Sequence, residues 1–273
     1  MSKKNWVVVK VGGEIIANKE TLFRFAKGIV GLVKCGVNTV VVHGGGPFIS
    51  FYMKKLGKRP VFIYGLRVTD RETIGVVEMV LSGRVNKEIV AMINTCGGRA
   101  VGLSGRDLFT VKARKKPPIQ VNNVGKVDLG LVGEVVEVND ELVKVLCEEG
   151  YIPVVSPVSV DEKGNPLNVN ADEVAACMAA KLGARKLVIL TNTPGILYNL
   201  ANPSSRIPKI SIYKLGELAP LIAANGMLPK IDACLQAIKG GVEEVRIAGG
   251  DKGLNLVDLV FNSRLCCGTI VTA

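Results

Sequence analysis

Apolar positions in this chain fall into two alternating patterns. Short runs rich in β-branched residues recur at Trp6 to Val11, Thr39 to His43, Ala100 to Ser104, Ile152 to Ser156 and Leu187 to Thr191, and each reads as a strand. Within Val7–Val9 and Val40–Val42 the apolar character does not alternate, which predicts parallel strands covered by helices on both faces. Between the first two runs, Leu22, Phe25, Ala26, Ile29, Val30 and Val33 share one helical stripe over Glu20 to Cys35. The same spacing predicts amphipathic helices over Asp70 to Leu81, Asn139 to Glu149, Ala171 to Leu182 and Pro229 to Ile238. The segment from Val111 to Val135, with Pro117, Pro118 and Gly125, reads as an irregular hairpin region, and Phe62 and Tyr64 read as core. No linker rich in Pro, Gly or Ser and no internal repeat interrupts the pattern. The expectation is an α/β protein with two lobes sharing one sheet.

Composition removes several alternatives. At 273 residues with 48% hydrophobic and 22% charged side chains, the chain has the means to bury a full core and is far from the disordered class. No apolar run approaches the roughly 18 residues of a membrane span. The apolar stretch near the N-terminus is cut by Lys10 and is too brief for a signal-peptide core, so an intracellular, cytoplasmic protein is expected. Seven cysteines without a C-x-x-C pair point to reduced, mostly buried thiols. The single histidine, His43, is too little imidazole for a metalloprotease or a two-histidine metal site, and its place at a strand end gives it a packing or hydrogen-bonding role. Neither Gly57-Lys58 nor Gly125-Lys126 is followed by Ser or Thr, so there is no P-loop, and no G-x-G-x-x-G fingerprint occurs.

The net charge of +11 is unevenly placed. Residues 1–136 hold 22 Lys/Arg against 9 Asp/Glu, and residues 137–273 hold 13 against 15. With aromatic residues at 5%, stacking platforms for nucleic acid are scarce; small anionic substrates or an acidic protein partner fit the basic half better. Lys112 to Lys116 reads as a solvated surface cluster.

The candidate chemistry lies in glycine-rich turns. After the first strand comes Lys10-Val11-Gly12-Gly13, and after the second His43-Gly44-Gly45-Gly46-Pro47 followed by an apolar helix. Glycines let backbone N–H groups crowd an anion, and a helix N-terminus adds partial positive charge. Either pair alone is open to the plainer reading of a tight turn. Two such turns, with a lysine inside an apolar strand where an unpaired charge is costly, favour a phosphate site.

These residues carry a resemblance over nearly the whole chain. VVVKVGG (7–13), VVHGGGP (41–47), GLRVTD (65–70), VEMVLSGRVNKEIV (77–90), GGRAVGLSG (97–105), DLGLVGEV (128–135), NVNADEVA (168–175), LTNTPGIL (190–197) and GMLPK (226–230) resemble, in order and spacing, the amino-acid kinase family and its acetylglutamate-phosphorylating branch. The resemblance implies a three-layer αβα sandwich with a mainly parallel sheet, residues 1–180 forming an amino-acid-substrate lobe and 181–273 an ATP-binding lobe of one kinase domain. It implies transfer of a phosphoryl group from ATP to the side-chain carboxylate of N-acetyl-L-glutamate, with Mg²⁺ carried by the ATP phosphates. Catalysis would rest on Lys10 and Lys230, with Asp172 holding both. Gly45, Gly46, Arg67 and Asn168 would bind the acceptor, and Gly12, Gly13, Thr191, Asn192, Gly195 and Leu197 would join the two lysines along the nucleotide.

Other readings stand beside these roles. Asp172 is also placed to cap the helix beginning near it, and Arg67 to be a surface arginine ahead of a helix. Asn192 stands where the family often has Asp, and the stretch before Gly226 is shorter than the loop that reaches adenine in related enzymes. The first strand begins near residue 6, leaving no room for the N-terminal helix of hexameric, arginine-inhibited members, so the expectation is an arginine-insensitive homodimer built on the helix around Asp70 to Leu81. The rival reading is a related kinase whose glutamate or 2-aminoadipate is attached to an acidic carrier protein, in lysine or arginine biosynthesis. A non-catalytic nucleotide or amino-acid sensor is a third.

Overall fold

Val7, Val8 and Val9 are buried because strand β1 (Trp6–Val11) lies in the middle of the sheet. The computed structural model describes residues 5–122, 124–199, 201–222, 227–250, 255–262 and 267–273. From β1 the chain passes through α1 (Gly13–Ala17) and α2 (Lys19–Lys34) into β2 (Asn38–His43), then α3 (Gly46–Lys55) and a small hairpin of β3 (Phe62–Ile63) and β4 (Leu66–Arg67). Helices α4 (Arg71–Glu78) and α5 (Asn86–Thr95) are joined by a π-helical stretch, Met79–Val85, and lead to β5 (Ala100–Ser104). Strands β6 (Val111–Lys115), β7 (Ile119–Val121), β8 (Gly125–Val127) and β9 (Gly133–Val138) precede α6 (Glu141–Glu148), β10 (Ile152–Ser156), β11 (Val158–Val160) and β12 (Pro166–Asn168). The rest comprises α7 (Ala171–Lys181), β13 (Lys186–Thr191), β14 (Lys209–Ser211), α8 (Ile212–Ile222), α9 (Leu228–Lys239), β15 (Glu244–Gly249), α10 (Leu256–Phe261) and β16 (Thr269–Thr272).

Among the described residues, eight strands form one sheet in the order β14-β16-β15-β13-β1-β2-β10-β5, parallel throughout except for the β15–β16 pair. Side chains alternate across a strand, so β1 feeds two separate cores. Val7, Val9 and Val11 pack with α2, the α4–α5 region and α10. Trp6 and Val8 pack with α6, α7, α8 and α9 on the other face. These are the three αβα layers. A second sheet, β12-β11-β6-β9, continues from the ends of β5 and β10, and β7–β8 forms a separate hairpin within the segment expected to be irregular.

Three expectations need correction. The helix from Asp70 does not stop at Leu81 but widens into the π-helical stretch and runs on to Thr95. Phe62 and Tyr64 are not core: they are 51% and 55% exposed, because the β3–β4 hairpin stands away from the body with Tyr64 in its turn at φ +48°. Of the described cysteines only Cys147 and Cys234 are buried; Cys35 and Cys96 follow the last turns of α2 and α5, where the chain emerges to solvent, and Cys267 is exposed. Gly226 and the short stretch before it lie outside the described residues. Among the described residues no helix is long and apolar enough to cross a membrane.

Candidate active site

Alternation along β1 decides the site. Lys10 shares its face with Trp6 and Val8, so it points into the layer formed by α7 and α9 rather than toward solvent, and it is 7% exposed. An unpaired ammonium there would be costly. Asp172, in the first turn of α7, meets its Nζ at 2.8 Å through Oδ1 and takes Nζ of Lys230, from α9, at 3.3 Å through Oδ2. The helix cap is Asn170, whose Oδ1 accepts from the Asp172 N–H at 2.7 Å, which leaves the Asp172 carboxylate free for the lysines. Burial alone would raise the Asp172 pKa, but the charges of Lys10 and Lys230 outweigh it and hold the carboxylate below its ordinary range. Burial, with the nearby Lys230 charge, pulls Lys10 below the usual lysine value against the opposing pull of Asp172. One anion between two cations leaves a surplus positive charge in a place shielded from water.

The two glycine turns meet beside this bridge. A Cβ on Gly13 would lie 2.8 Å from Cδ of Pro47 and 3.2 Å from Cα of Gly45, so only glycine lets the first turn nest against the second. Among the described residues the N–H groups of Gly12, Gly13, Gly45 and Gly46 have no protein acceptor. Gly12 and Gly45 are the N-caps of α1 and α3, and α3 adds its N-terminal partial charge.

Arg67 lies on the other side of the second turn. It is 6% exposed, has no carboxylate partner among the described residues, and is held by Nη2 donating to Gly46 O at 3.0 Å and to Ser50 Oγ at 2.8 Å, with Phe62 stacked at 4.5 Å over the guanidinium. Burial lowers its pKa to about 10, which still leaves it charged at neutral pH. The cavity it lines, about 160 Å³, also includes Gly44–Gly46, Asn168 and Asn170. Asn168 is oriented there by donating to Thr69 Oγ1 at 3.1 Å. Ser50, Phe62 and Asn170 escape sequence reading. A polar residue two places ahead of Asp172 was the available signal for Asn170, while nothing local marks Ser50 or Phe62 as neighbours of Arg67.

Of the residues expected along the nucleotide, Thr191 and Asn192 line a cavity of about 420 Å³ at the carboxyl ends of β13 and β15, with Gly249 and Gly250. Gly195 and Leu197 do not line it. Leu197 is buried and bridges to Arg206. Gly195 (φ +148°) is pressed against Thr269, where a Cβ would sit 2.6 Å from Oγ1.

His43 is fully buried, and burial, aided by the Lys87 charge, pushes its pKa down to about 4. Its unfolded value is near 6.5. Between pH 6.5 and 4 the unfolded chain therefore binds the proton that the folded one refuses, and stability falls as the pH is lowered. About 2.5 pH units correspond to about 3 kcal/mol. Denaturant unfolding at pH 7 and pH 4 is expected to show this loss in the wild type and to show it abolished in His43→Asn; equal losses in both would refute the assignment.

The lysine pair on Asp172, the glycine-turn N–H groups and the buried Arg67 gather fixed positive charge and hydrogen-bond donors suited to anionic groups. The fold and site define a phosphotransferase. The chain belongs to the amino acid kinase family, whose profile matches residues 5–249. It is 46% identical over 245 residues, 89% of this chain and 84% of the relative, to an acetylglutamate kinase of Methanothrix thermoacetophila. It is 47% identical over 258 residues, covering 93% and 89%, to an acetylglutamate kinase of Archaeoglobus fulgidus. Among solved structures, an N-acetylglutamate synthase of Neisseria gonorrhoeae bound to coenzyme A and N-acetyl-glutamate aligns with a TM-score of 0.80 at 25% identity, over 99% of this chain and 60% of that one.

Proposed function

We propose that this protein uses ATP to phosphorylate the side-chain carboxylate of N-acetyl-L-glutamate, forming an acyl phosphate in arginine biosynthesis. The observation that carries the proposal is the Lys10–Asp172–Lys230 bridge set beside the Arg67 cavity and two glycine turns in which the N–H groups of Gly12, Gly13, Gly45 and Gly46 meet no acceptor among the described residues. The acceptor carboxylate is ionised at neutral pH and needs no general base; the barrier is charge, and fixed donors lower it most. In the proposal Lys10 and Lys230 flank the transferring group, and the four turn N–H groups hold the γ-phosphate and the attacking carboxylate. Arg67 attracts the acceptor's α-carboxylate through its buried charge, while Nη2 stays committed to Gly46 O and Ser50 Oγ. A cavity of about 160 Å³ is below the usual range for larger ligands and suits a small acylated amino acid.

The nucleotide is assigned to residues 181–273, with Thr191 and Asn192 along it, and the acceptor to residues 1–180. Both Asp172 oxygens are engaged by lysines, and among the described residues no group of three His, Cys, Asp or Glu is gathered to hold a metal. Mg²⁺ therefore fits as a partner of the ATP phosphates, where it shields their charge. ADP release with Mg-ATP is expected with N-acetyl-L-glutamate and at background level with N-acetyl-L-2-aminoadipate, free glutamate, UMP or no acceptor. No release with any of them would overturn the proposal and turn the search to a carrier-linked acceptor.

The exposed face of α4 and the π-helical stretch supports the homodimer. Gly75, Met79 and Gly83 are exposed along it, Met79 at 64%, and a Cβ on either glycine would meet nothing. A flat strip with one apolar side chain suits self-association about a two-fold axis. Light scattering is expected to give a dimer and Met79→Asp a monomer; a monomeric wild type or a dimeric variant contradicts this interface.

A further inference from the structure

The reaction proposed above leaves the chain's single histidine without a chemical part, yet His43 sits fully buried at the end of β2, directly before the second glycine turn. Its surroundings determine its protonation. Asn86 Oδ1 accepts from Lys87 Nζ at 3.1 Å, and Asn86 Nδ2 donates to the Val154 carbonyl at 2.8 Å, so the amide orientation is settled by a donor on one side and an acceptor on the other. The same Nδ2 faces His43 Nε2 at 3.1 Å. An amide nitrogen only donates, and of its two hydrogens one goes to the Val154 carbonyl and the other to Nε2, which is nearer than the Leu103 carbonyl at 3.3 Å, so Nε2 accepts and carries no proton. The proton is then on Nδ1, which lies 3.0 Å from Gly44 O, a group that only accepts. The ring is neutral and held in one tautomer from both ends.

We propose that His43 is a positioning residue: in its Nδ1-protonated form, fixed by Asn86, it locks the Gly44–Gly45 peptide so that the Gly45 N–H faces the path of the transferring phosphoryl group. The step from carbonyl to N–H follows from the trans peptide, in which C=O of one residue and N–H of the next point in opposite directions. With Gly44 O held down against the buried ring, the Gly45 N–H is turned away from it, toward the cavity that Gly44–Gly46 line. Glycine supplies no side chain to hold that peptide, so an external group must. Asn86 reaches it from α5, just beyond the π-helical stretch whose Leu81 packs over Gly45, so the turn is held from two sides. The inference rests on the kinase reading for its consequence and on hydrogen-bond geometry alone for the lock itself.

Because His43 is the only histidine, an untagged, ¹⁵N-labelled protein gives a single imidazole pattern in a long-range ¹H–¹⁵N correlation spectrum. At pH 7 the Nδ1–H tautomer is expected; an Nε2–H tautomer or an imidazolium overturns the proposal. Kinetics then separate positioning from packing. His43→Asn places an amide N–H where Nδ1–H stood and is expected to keep kcat within about fivefold, whereas His43→Leu, which fills the space without a donor, is expected to lose about 100-fold in kcat with a smaller change in acceptor KM. Folded His43→Leu protein with kcat within about twofold of wild type also overturns it. Absence of turnover in the wild type defeats the kinase reading instead, and the tautomer spectrum still decides the lock.

Discussion

Lys10→Ala is expected to lower kcat by about 10²- to 10³-fold, the usual cost of removing one preorganised donor from a developing charge. Lys10→Met, which keeps the bulk and loses only the ammonium, should fall as far. Lys10 does not line the cavity proposed for the acceptor, so KM for N-acetyl-L-glutamate should stay within about threefold, the pattern of an interaction made chiefly in the transition state. The magnitude follows from burial: at 7% exposure the ammonium acts through a medium that screens poorly, and it is already fixed by Asp172 at 2.8 Å, so no reorganisation is needed as charge develops. Coupled-assay measurement of ADP release checks this; an unchanged kcat in either variant would remove Lys10 from the phosphoryl path and take the proposed mechanism with it.

The parallel strands were legible because a run apolar on both faces has few other uses in a chain this long. Each of the five expected strands lies within one residue of its observed bounds. The helix over Glu20 to Cys35 was equally plain, since its stripe repeats through four turns. Legibility failed where local pattern and tertiary setting part company. Ser82 and Gly83 are poor helix formers and argue for an end near Leu81, yet the chain keeps turning there because Val80, Leu81 and Val85 are buried in the core. Phe62 and Tyr64 look like core residues to any hydrophobicity count; the Tyr64–Gly65 turn, with both residues at positive φ, projects them outward instead, and Phe62 is used over Arg67.

The site was legible to a different depth. Lys10 stood out because a cation in a valine run needs a partner, and its partner was nameable only through family resemblance, since Asp172 is 162 positions away in sequence. Gly195 was named through its motif in the same way, and the structure shows why it is glycine: a Cβ there would meet Thr269 Oγ1 at 2.6 Å. Asn86 stood only inside the stretch VEMVLSGRVNKEIV, with no role of its own. It lies beyond the helix expected to end at Leu81, and only the fold, which brings β2, β5 and β10 to its amide, shows that it is fully buried.

Asp172→Ala is expected to cost about 3 to 5 kcal/mol of stability at pH 7, the usual result of deleting one partner of a buried ion pair. The loss belongs mainly to the lysines. With the carboxylate gone, Lys10 is left buried beside Lys230 with no described anion in reach, and Asp172→Asn, which keeps the shape, should recover only a minor part of the loss. The pH dependence carries the sign. Without Asp172 the Lys10 pKa falls further below its unfolded value near 10.4, so between the lowered value and 10.4 the unfolded chain binds more protons than the folded one, and stability rises as the pH climbs through that window. Denaturant unfolding of Asp172→Ala should therefore show partial recovery between pH 7 and pH 10, beyond any change in the wild type over the same range. Saturating ATP supplies negative charge between the same two lysines and should raise the variant's melting temperature more than it raises that of the wild type. A variant within about 1 kcal/mol of wild type at pH 7, or one whose stability does not respond to rising pH, would mean that the two lysines do not depend on Asp172, and that the charge bridge is a consequence of packing rather than the device that holds the site ready.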